Sequence, residues 1–254
     1  MSQHNLRIRV LNYLESNIDA PTEELAGKLY VSRSTLRRVL IQLEEEGLVK
    51  RYYGGVRLVQ STSLELPVES RLKTNIKDKI LVANKAVNLV NDNAVIFLDS
   101  SSTIYHFGLQ LIKKFTHLKI ITNGLEIALA LKDYPDSEVY LCPGKLRHNS
   151  SSIVGSFCEE FLQSFHADYA FISCKSVDKN GLYEGDVSQA HAKLRMIQQA
   201  DKSYLLCDQS KFFTKGYYRT ADLSSIDGIV CNGELPEDLS EIIKRKNCTI
   251  FNKF

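Results

Sequence analysis

Three arginines, Arg33, Arg37 and Arg38, stand within a stretch whose other side is apolar. Leu36, Val39, Leu40 and Leu43 form one stripe at helical spacing, so Ser34, Arg37, Arg38 and Ile41 point away from it. Guanidinium groups on the free face of a helix suit phosphate oxygens and the edges of guanine. Ser34 and Thr35 lie near the start of that helix, where a phosphate is also favoured. Just downstream, Lys50, Arg51 and Arg57 flank Gly54-Gly55, a pair suited to a tight hairpin turn. Residues 31–60 carry six basic side chains against Glu44, Glu45 and Glu46, a local balance of +3 in a chain whose net charge is +2. The expected partner of this face is a polyanion. The glutamate run reads as solvated helix surface.

A second group of residues sits where strand-like segments end. Ala94–Leu98 is followed by Asp99, Ser100, Ser101, Ser102 and Thr103, and Leu118–Thr122 ends in Thr122, Asn123 and Gly124. Tyr169–Ser173 runs into Lys175, Ser176 and Asp178, and Tyr204–Cys207 into Asp208 and Lys211. Ligands of open α/β sheets bind beyond the carboxyl ends of the strands. Hydroxyls and free backbone N–H groups at a helix start suit an oxyanion. With Lys175, Lys193 and Lys211, these turns make a candidate site for a small phosphorylated ligand. Any one of them alone reads equally well as a helix cap or a solvated loop.

No catalytic constellation accompanies them. The chain lacks a P-loop, a Gly-x-Gly-x-x-Gly turn and a nucleophile elbow. Glu184 and Asp186 could act as acid and base but have no evident partner, and His191 lies on a helix near Lys193. His166 reads as a packing or loop residue. The six cysteines form no Cys-x-x-Cys pair, so buried, reduced thiols are expected, with no metal and no cofactor.

The elements that must position these groups fall into two halves. Residues 1–58 read as three short helices and a hairpin, a winged helix-turn-helix. Residues 59–70, with Pro67, read as a linker. Residues 71–254 alternate helix-like and strand-like segments, with strands expected at Ala94–Leu98, Leu118–Thr122, Val139–Cys142, Tyr169–Ser173, Tyr204–Cys207, Gly228–Cys231 and Cys248–Phe251. The fold class is therefore an α+β winged helix-turn-helix domain followed by a larger α/β domain. No apolar run approaches the ~20 residues of a membrane span, and the N-terminus lacks the apolar segment of a secretory signal. A cytoplasmic location with no membrane partner is expected.

The run from Val31-Ser32 through Thr35, Arg37-Arg38, Leu43-Glu44, Gly47-Leu48-Val49 and Arg51 to Gly54-Gly55 resembles the DNA-binding domain of the DeoR family, bacterial regulators of sugar operons. The resemblance continues in order through Glu69-Ser70-Arg71, Asp99 to Thr103, Ile121-Thr122-Asn123, Gly144 to Arg147, Phe165 to Asp168, and Asp208 to Phe212. It implies a second domain related in fold to ribose-5-phosphate isomerase and coenzyme A transferases. That domain would bind a phosphorylated sugar or polyol, with Ser100–Thr103 on the phosphate and Thr122, Asn123, Asp178, Lys193 and Lys211 around the sugar. It further implies double-stranded operator DNA as partner, repression of a carbohydrate operon, a homodimer or homotetramer, and no enzymatic activity. Two other readings are an isomerase carrying a DNA-binding appendage, and a DNA-binding protein whose α/β domain only oligomerises. The chain departs from the family pattern at Val39, where aspartate is common, and at Ser173, Ser176, Tyr183-Glu184-Gly185-Asp186 and Ser188-Gln189. A conserved scaffold with an altered specificity side is the expectation.

Overall fold

A computed structural model describes residues 3–135, 137–245 and 248–252 of the chain. The chain divides into two compact units, residues 1–74 and 75–254. The first contains α1 (Gln3–Asn17), β1 (Asp19–Pro21), α2 (Thr22–Leu29), α3 (Arg33–Glu45), β2 (Val49–Tyr52), β3 (Gly55–Leu58) and α4 (Val68–Lys73). The expected stripe of α3 is buried in full, against Val10, Leu11, Leu14 and Leu25. Ser32 caps α3, its Oγ accepting from the Thr35 N–H at 3.2 Å. That bond satisfies one of the four donors a helix start leaves open.

The wing has three strands, in the order β1-β3-β2. The sequence suggested only two, because three residues ending in Pro21 are too short to show alternation. The turn needs its glycines for different reasons. Gly54 has φ +77°, and a Cβ on Gly55 would fall 2.2 Å from the Tyr52 ring.

The stretch expected as a linker is largely packed. Leu64 and Leu66 lie on the core of the first unit, Val68 is buried, and the Asn12 amide reaches Ser70 Oγ (2.6 Å) and Thr74 Oγ1 (3.3 Å). The division therefore falls after Thr74, not at residue 70. Asn75, at φ +51°, follows α4 and precedes the next helix.

The second unit runs α5 (Ile76–Ala86), β4 (Val95–Leu98), α6 (Ser102–Lys114), β5 (Lys119–Thr122), α7 (Leu125–Leu131), β6 (Glu138–Leu141), β7 (Lys145–Leu146), β8 (Ile153–Val154), α8 (Ser156–Gln163), β9 (Ala167–Ile172), β10 (Ser176–Asp178), β11 (Gly181–Glu184), α9 (Val187–Gln198), β12 (Ala200–Cys207), β13 (Tyr218–Ala221), β14 (Gly228–Cys231), α10 (Glu237–Arg245) and β15 (Thr249–Phe251). The main sheet has the order β15-β14-β12-β9-β4-β5-β6, and all its pairs are parallel. Its seven strands are the seven expected. The small antiparallel sheet β10-β11-β13 and the β7-β8 pair were not foreseen.

Side chains alternate between two buried layers. Ile96, Leu98, Tyr169, Phe171, Tyr204 and Leu206 face α5, α6 and α7, whereas Phe97, Ala170, Ile172, Leu205 and Cys207 face α8, α9 and α10. All six cysteines are buried and free.

The chain order reverses between β4 and β9, which lie side by side but are separated in sequence by β5 and β6. At that switch point Lys193, from the middle of α9, joins three otherwise separate segments. Its ammonium lies 3.0 Å from Asp99 Oδ2 after β4, donates to the Ser173 carbonyl at 2.7 Å after β9, and bonds Glu184 Oε1 of β11. Burial alone would lower its pKa, but the charges of Asp99 and Glu184 outweigh that and leave it raised. Lys193→Met would remove the buried ammonium from Asp99 and Glu184, at a cost of about 3–5 kcal/mol. A urea titration reads this as a lower midpoint with unchanged slope. A loss below about 1 kcal/mol would show that the two carboxylates do not depend on the lysine.

Candidate functional site

In the first unit, the exposed face of α3 carries Arg37 and Arg38, and the wing carries Lys50. Among the described residues none of these three has a hydrogen-bonded or ion-pair partner. The other three expected cations are tied. Arg33 pairs with Glu23 of α2, and Arg57 donates to Asp19 Oδ2 at 3.2 Å. Arg51 holds Glu44 twice, through its backbone N–H (2.7 Å) and its Nε (2.6 Å). Those two bonds keep the Glu44 carboxyl below the usual carboxylate range.

The glutamate run is therefore not all solvated surface. Glu44 fastens the recognition helix to the wing, and Glu46 takes Arg7 at 2.5 Å. Ser34 and Thr35 share a hydroxyl cluster with Ser32, at 3.0 and 2.8 Å. Sequence reasoning passed over Tyr53, fully exposed at the wing tip, and Tyr30, 90% exposed in the turn before α3. An aromatic residue in a turn reads as core until its exposure is known.

In the second unit the carboxyl ends of β12, β9, β4 and β5 lie next to one another. Asp99 is saturated by the chain itself, taking Ser101 N–H on Oδ1 (2.6 Å) and Ser173 N–H on Oδ2 (2.7 Å) besides Lys193. Ser101 caps α6 by accepting from Ile104 N–H. The N–H groups of Ser102 and Thr103, both on buried residues, lie in the first turn, where no intrahelical acceptor exists.

Thr122 Oγ1 accepts the Gly124 N–H at 3.0 Å, and a Cβ on Gly124 would lie 2.9 Å from Ser100 Cα. The β5–α7 turn thus rests directly on the β4–α6 turn. Asn123 donates to the Ile153 carbonyl at 3.0 Å, while its buried Oδ1 accepts nothing from the protein. Gln189, in the first turn of α9, donates through Nε2 to Ser100 Oγ at 2.7 Å, and its Oε1 is likewise buried without a donor. The capping residue of that helix, Asp186, accepts from Gln189 N–H at 2.9 Å and lies 3.5 Å from Arg147, which also reaches Ser150.

Asp208, at the end of β12, accepts Ser210 N–H at 3.0 Å on Oδ1, and its buried Oδ2 has no donor. Burial pushes its pKa up, but the Lys211 charge, the Ser210 bonds and the more distant Lys79 outweigh this, and the carboxyl ends below its usual range.

These contacts bring Asp99, Ser100, Ser101, Ser102, Thr103, Thr122 and Asn123 together, with Lys211 half-buried beside Asp208. Lys193 is close as well, but its donors are committed to Asp99, Glu184 and Ser173. Asp178 stands apart in an exposed hairpin turn, where it accepts from Asn180 N–H at 2.8 Å. Lys175 is half-buried, and its backbone bridges the Tyr183 carbonyl and the Thr214 hydroxyl. Gln189 stood out in the sequence only as a departure from the family pattern, because nothing in a helical stretch reveals that its side chain will meet Ser100, 89 positions earlier.

Comparison with known proteins agrees with both halves. A DeoR-like helix-turn-helix domain matches residues 8–62, and a DeoR C terminal sensor domain matches residues 74–233. The chain is 31% identical over 230 residues to the HTH-type transcriptional repressor GlcR of Bacillus subtilis, covering 91% of this chain and 88% of that one. It is 32% identical to the HTH-type transcriptional regulator GolR of Listeria innocua, covering 87% and 86%. It is 30% identical to the L-fucose operon activator of Haemophilus influenzae, covering 91% and 93%. A solved ribose 5-phosphate isomerase A from Methanocaldococcus jannaschii matches 55% of each chain at 22% identity, with a TM-score of 0.41. Among the described residues no helix is long and apolar enough to cross a membrane. With a winged helix-turn-helix whose unpaired cations lie on one helix and its wing, followed by a sensor domain, the chain belongs to the DeoR family of DNA-binding transcriptional regulators.

Proposed function

We propose that this regulator represses a carbohydrate-metabolism operon and is released by a phosphorylated sugar or polyol bound at the strand ends of its second unit. The observation that carries the effector reading is the pairing of open groups at the switch point. Gln189 and the Asn123-Gly124 turn both meet Ser100, at the start of the helix that offers the N–H donors of Ser102 and Thr103, and Asn123 Oδ1 and Gln189 Oε1 are buried acceptors without donors. An anion with a hydroxyl-bearing tail complements both sets.

The site is a binding site and not a catalytic one. Its buried lysine and the carboxylates of Asp99 and Glu184 are engaged with one another. Hexose and pentose phosphates incubated with the protein are expected to show no isomerisation. On DNA, two recognition helices spaced by a helical turn suit a dimer or tetramer on repeated half-sites. Sedimentation analysis decides between them.

Operator binding should follow the free cations. Arg37, Arg38 and Lys50 give a log–log salt slope of roughly −3 per bound chain, approaching about −5 if the Arg33 and Arg57 pairs open onto phosphates. A slope near zero in anisotropy titrations would remove the basic face from DNA binding. Arg37→Ala and Arg38→Ala should each cost on the order of 1–3 kcal/mol if they read bases. An equal loss on random DNA would reassign that arginine to a phosphate.

The anion site should be broken by charge. Ser102→Glu places a carboxylate where the α6 dipole and free N–H groups favour an anion. Calorimetry should find sugar-phosphate binding abolished while operator binding without ligand persists. Unchanged ligand affinity would mean the serine run is only a helix cap.

A further inference from the structure

Gln189 is 4% exposed, and its amide does two opposite things. The Nε2 group donates to Ser100 Oγ, and Oε1 faces no donor in the protein. A hydroxyl that accepts from an amide keeps its own proton available for another acceptor. Ser100 lies immediately before the capping residue of α6, so that proton and the free N–H groups of Ser102 and Thr103 belong to one end of the helix. Asn123 flanks Ser100 from the other side, because Gly124 lets its backbone rest against Ser100 Cα, and Asn123 Oδ1 is also without a donor. Buried carbonyl oxygens left unpaired are costly, so a bound ligand that brings O–H donors is favoured over one that does not.

We propose that Gln189 determines effector specificity: its amide holds the Ser100 hydroxyl as a donor to a phosphate, and its Oε1, with Asn123 Oδ1, accepts hydroxyls from the rest of the ligand. The site therefore selects a phosphate ester with an uncharged polyhydroxy tail and rejects one whose tail carries a carboxylate. A carboxylate would face two amide oxygens, neither of which can donate. This rests on the reading of Ser100–Thr103 as the phosphate site, and the experiment separates the two.

The full chain is titrated calorimetrically with inorganic phosphate, glucose 6-phosphate, sorbitol 6-phosphate and 6-phosphogluconate. At least one of the two polyhydroxy esters should bind roughly tenfold tighter than both inorganic phosphate and 6-phosphogluconate. Gln189→Glu turns the donor to Ser100 into an acceptor and should weaken even inorganic phosphate by about tenfold. Gln189→Met keeps the shape, lacks both amide groups, and should retain phosphate while the preference among tails shrinks to within about threefold. Melting curves of both variants check that they fold, and the methionine variant carries the test if the glutamate variant does not. If no probe binds the wild-type chain, the phosphate reading fails and the specificity proposal with it. If phosphates bind but 6-phosphogluconate competes equally, or Gln189→Met keeps the full preference, only the role of Gln189 is overturned.

Discussion

A lysine ammonium has three donors, and in Lys193 all three are directed at groups from different parts of the chain: Asp99 after β4, Ser173 after β9 and Glu184 of β11. The strands that carry two of these groups are neighbours in the sheet but more than seventy residues apart in sequence. Such a buried arrangement is held by the exclusion of alternatives more than by net attraction, because each charge would be costly without the others. Its consequence reaches the surface. With Asp99 fixed on both oxygens, the Ser100–Thr103 turn has one conformation in which to begin α6, and the donors of that helix start are placed before any ligand arrives.

The first unit uses ion pairs in the same structural sense. Its six expected cations divide into those that build the domain and those left free. Arg51 on Glu44 ties α3 to the wing, and Arg57 on Asp19 ties β3 to β1. The exposed pairs contribute little to stability, yet they leave Arg37, Arg38 and Lys50 as the groups available to a polyanion. Charge counting along the sequence cannot make this distinction, because an arginine that holds a wing and one that reads DNA have the same side chain.

In the second unit the groups at the strand ends are scattered in the sequence. Asn123 and Gln189 come from different elements, and only tertiary packing sets Gln189 and the Asn123-Gly124 turn on Ser100. The hydroxyl run after β4 was visible as a motif, since serines and threonine stood in a row before an amphipathic helix. The contact of Gln189 with Ser100 was not, since a side chain in the first turn of a helix does not reveal its distant partner.

Sequence alone determined the two-part architecture, the apolar stripe of α3 with its arginines opposite, the Gly54-Gly55 turn, and all seven strands of the main sheet. Each of these rests on short-range periodicity or on a residue's own conformational limits. Tertiary structure decided what depends on distant partners. It decided that residues 64–74 pack on the first unit instead of spanning freely, that Arg33, Arg51 and Arg57 are tied while Arg37, Arg38 and Lys50 are not, and that the Lys193 ammonium is buried against Asp99, Glu184 and Ser173. The short strands β1, β7, β8, β10, β11 and β13 belong with these. They lack the continuous apolar run that marks the main-sheet strands, and they exist because a partner strand supplies their hydrogen bonds.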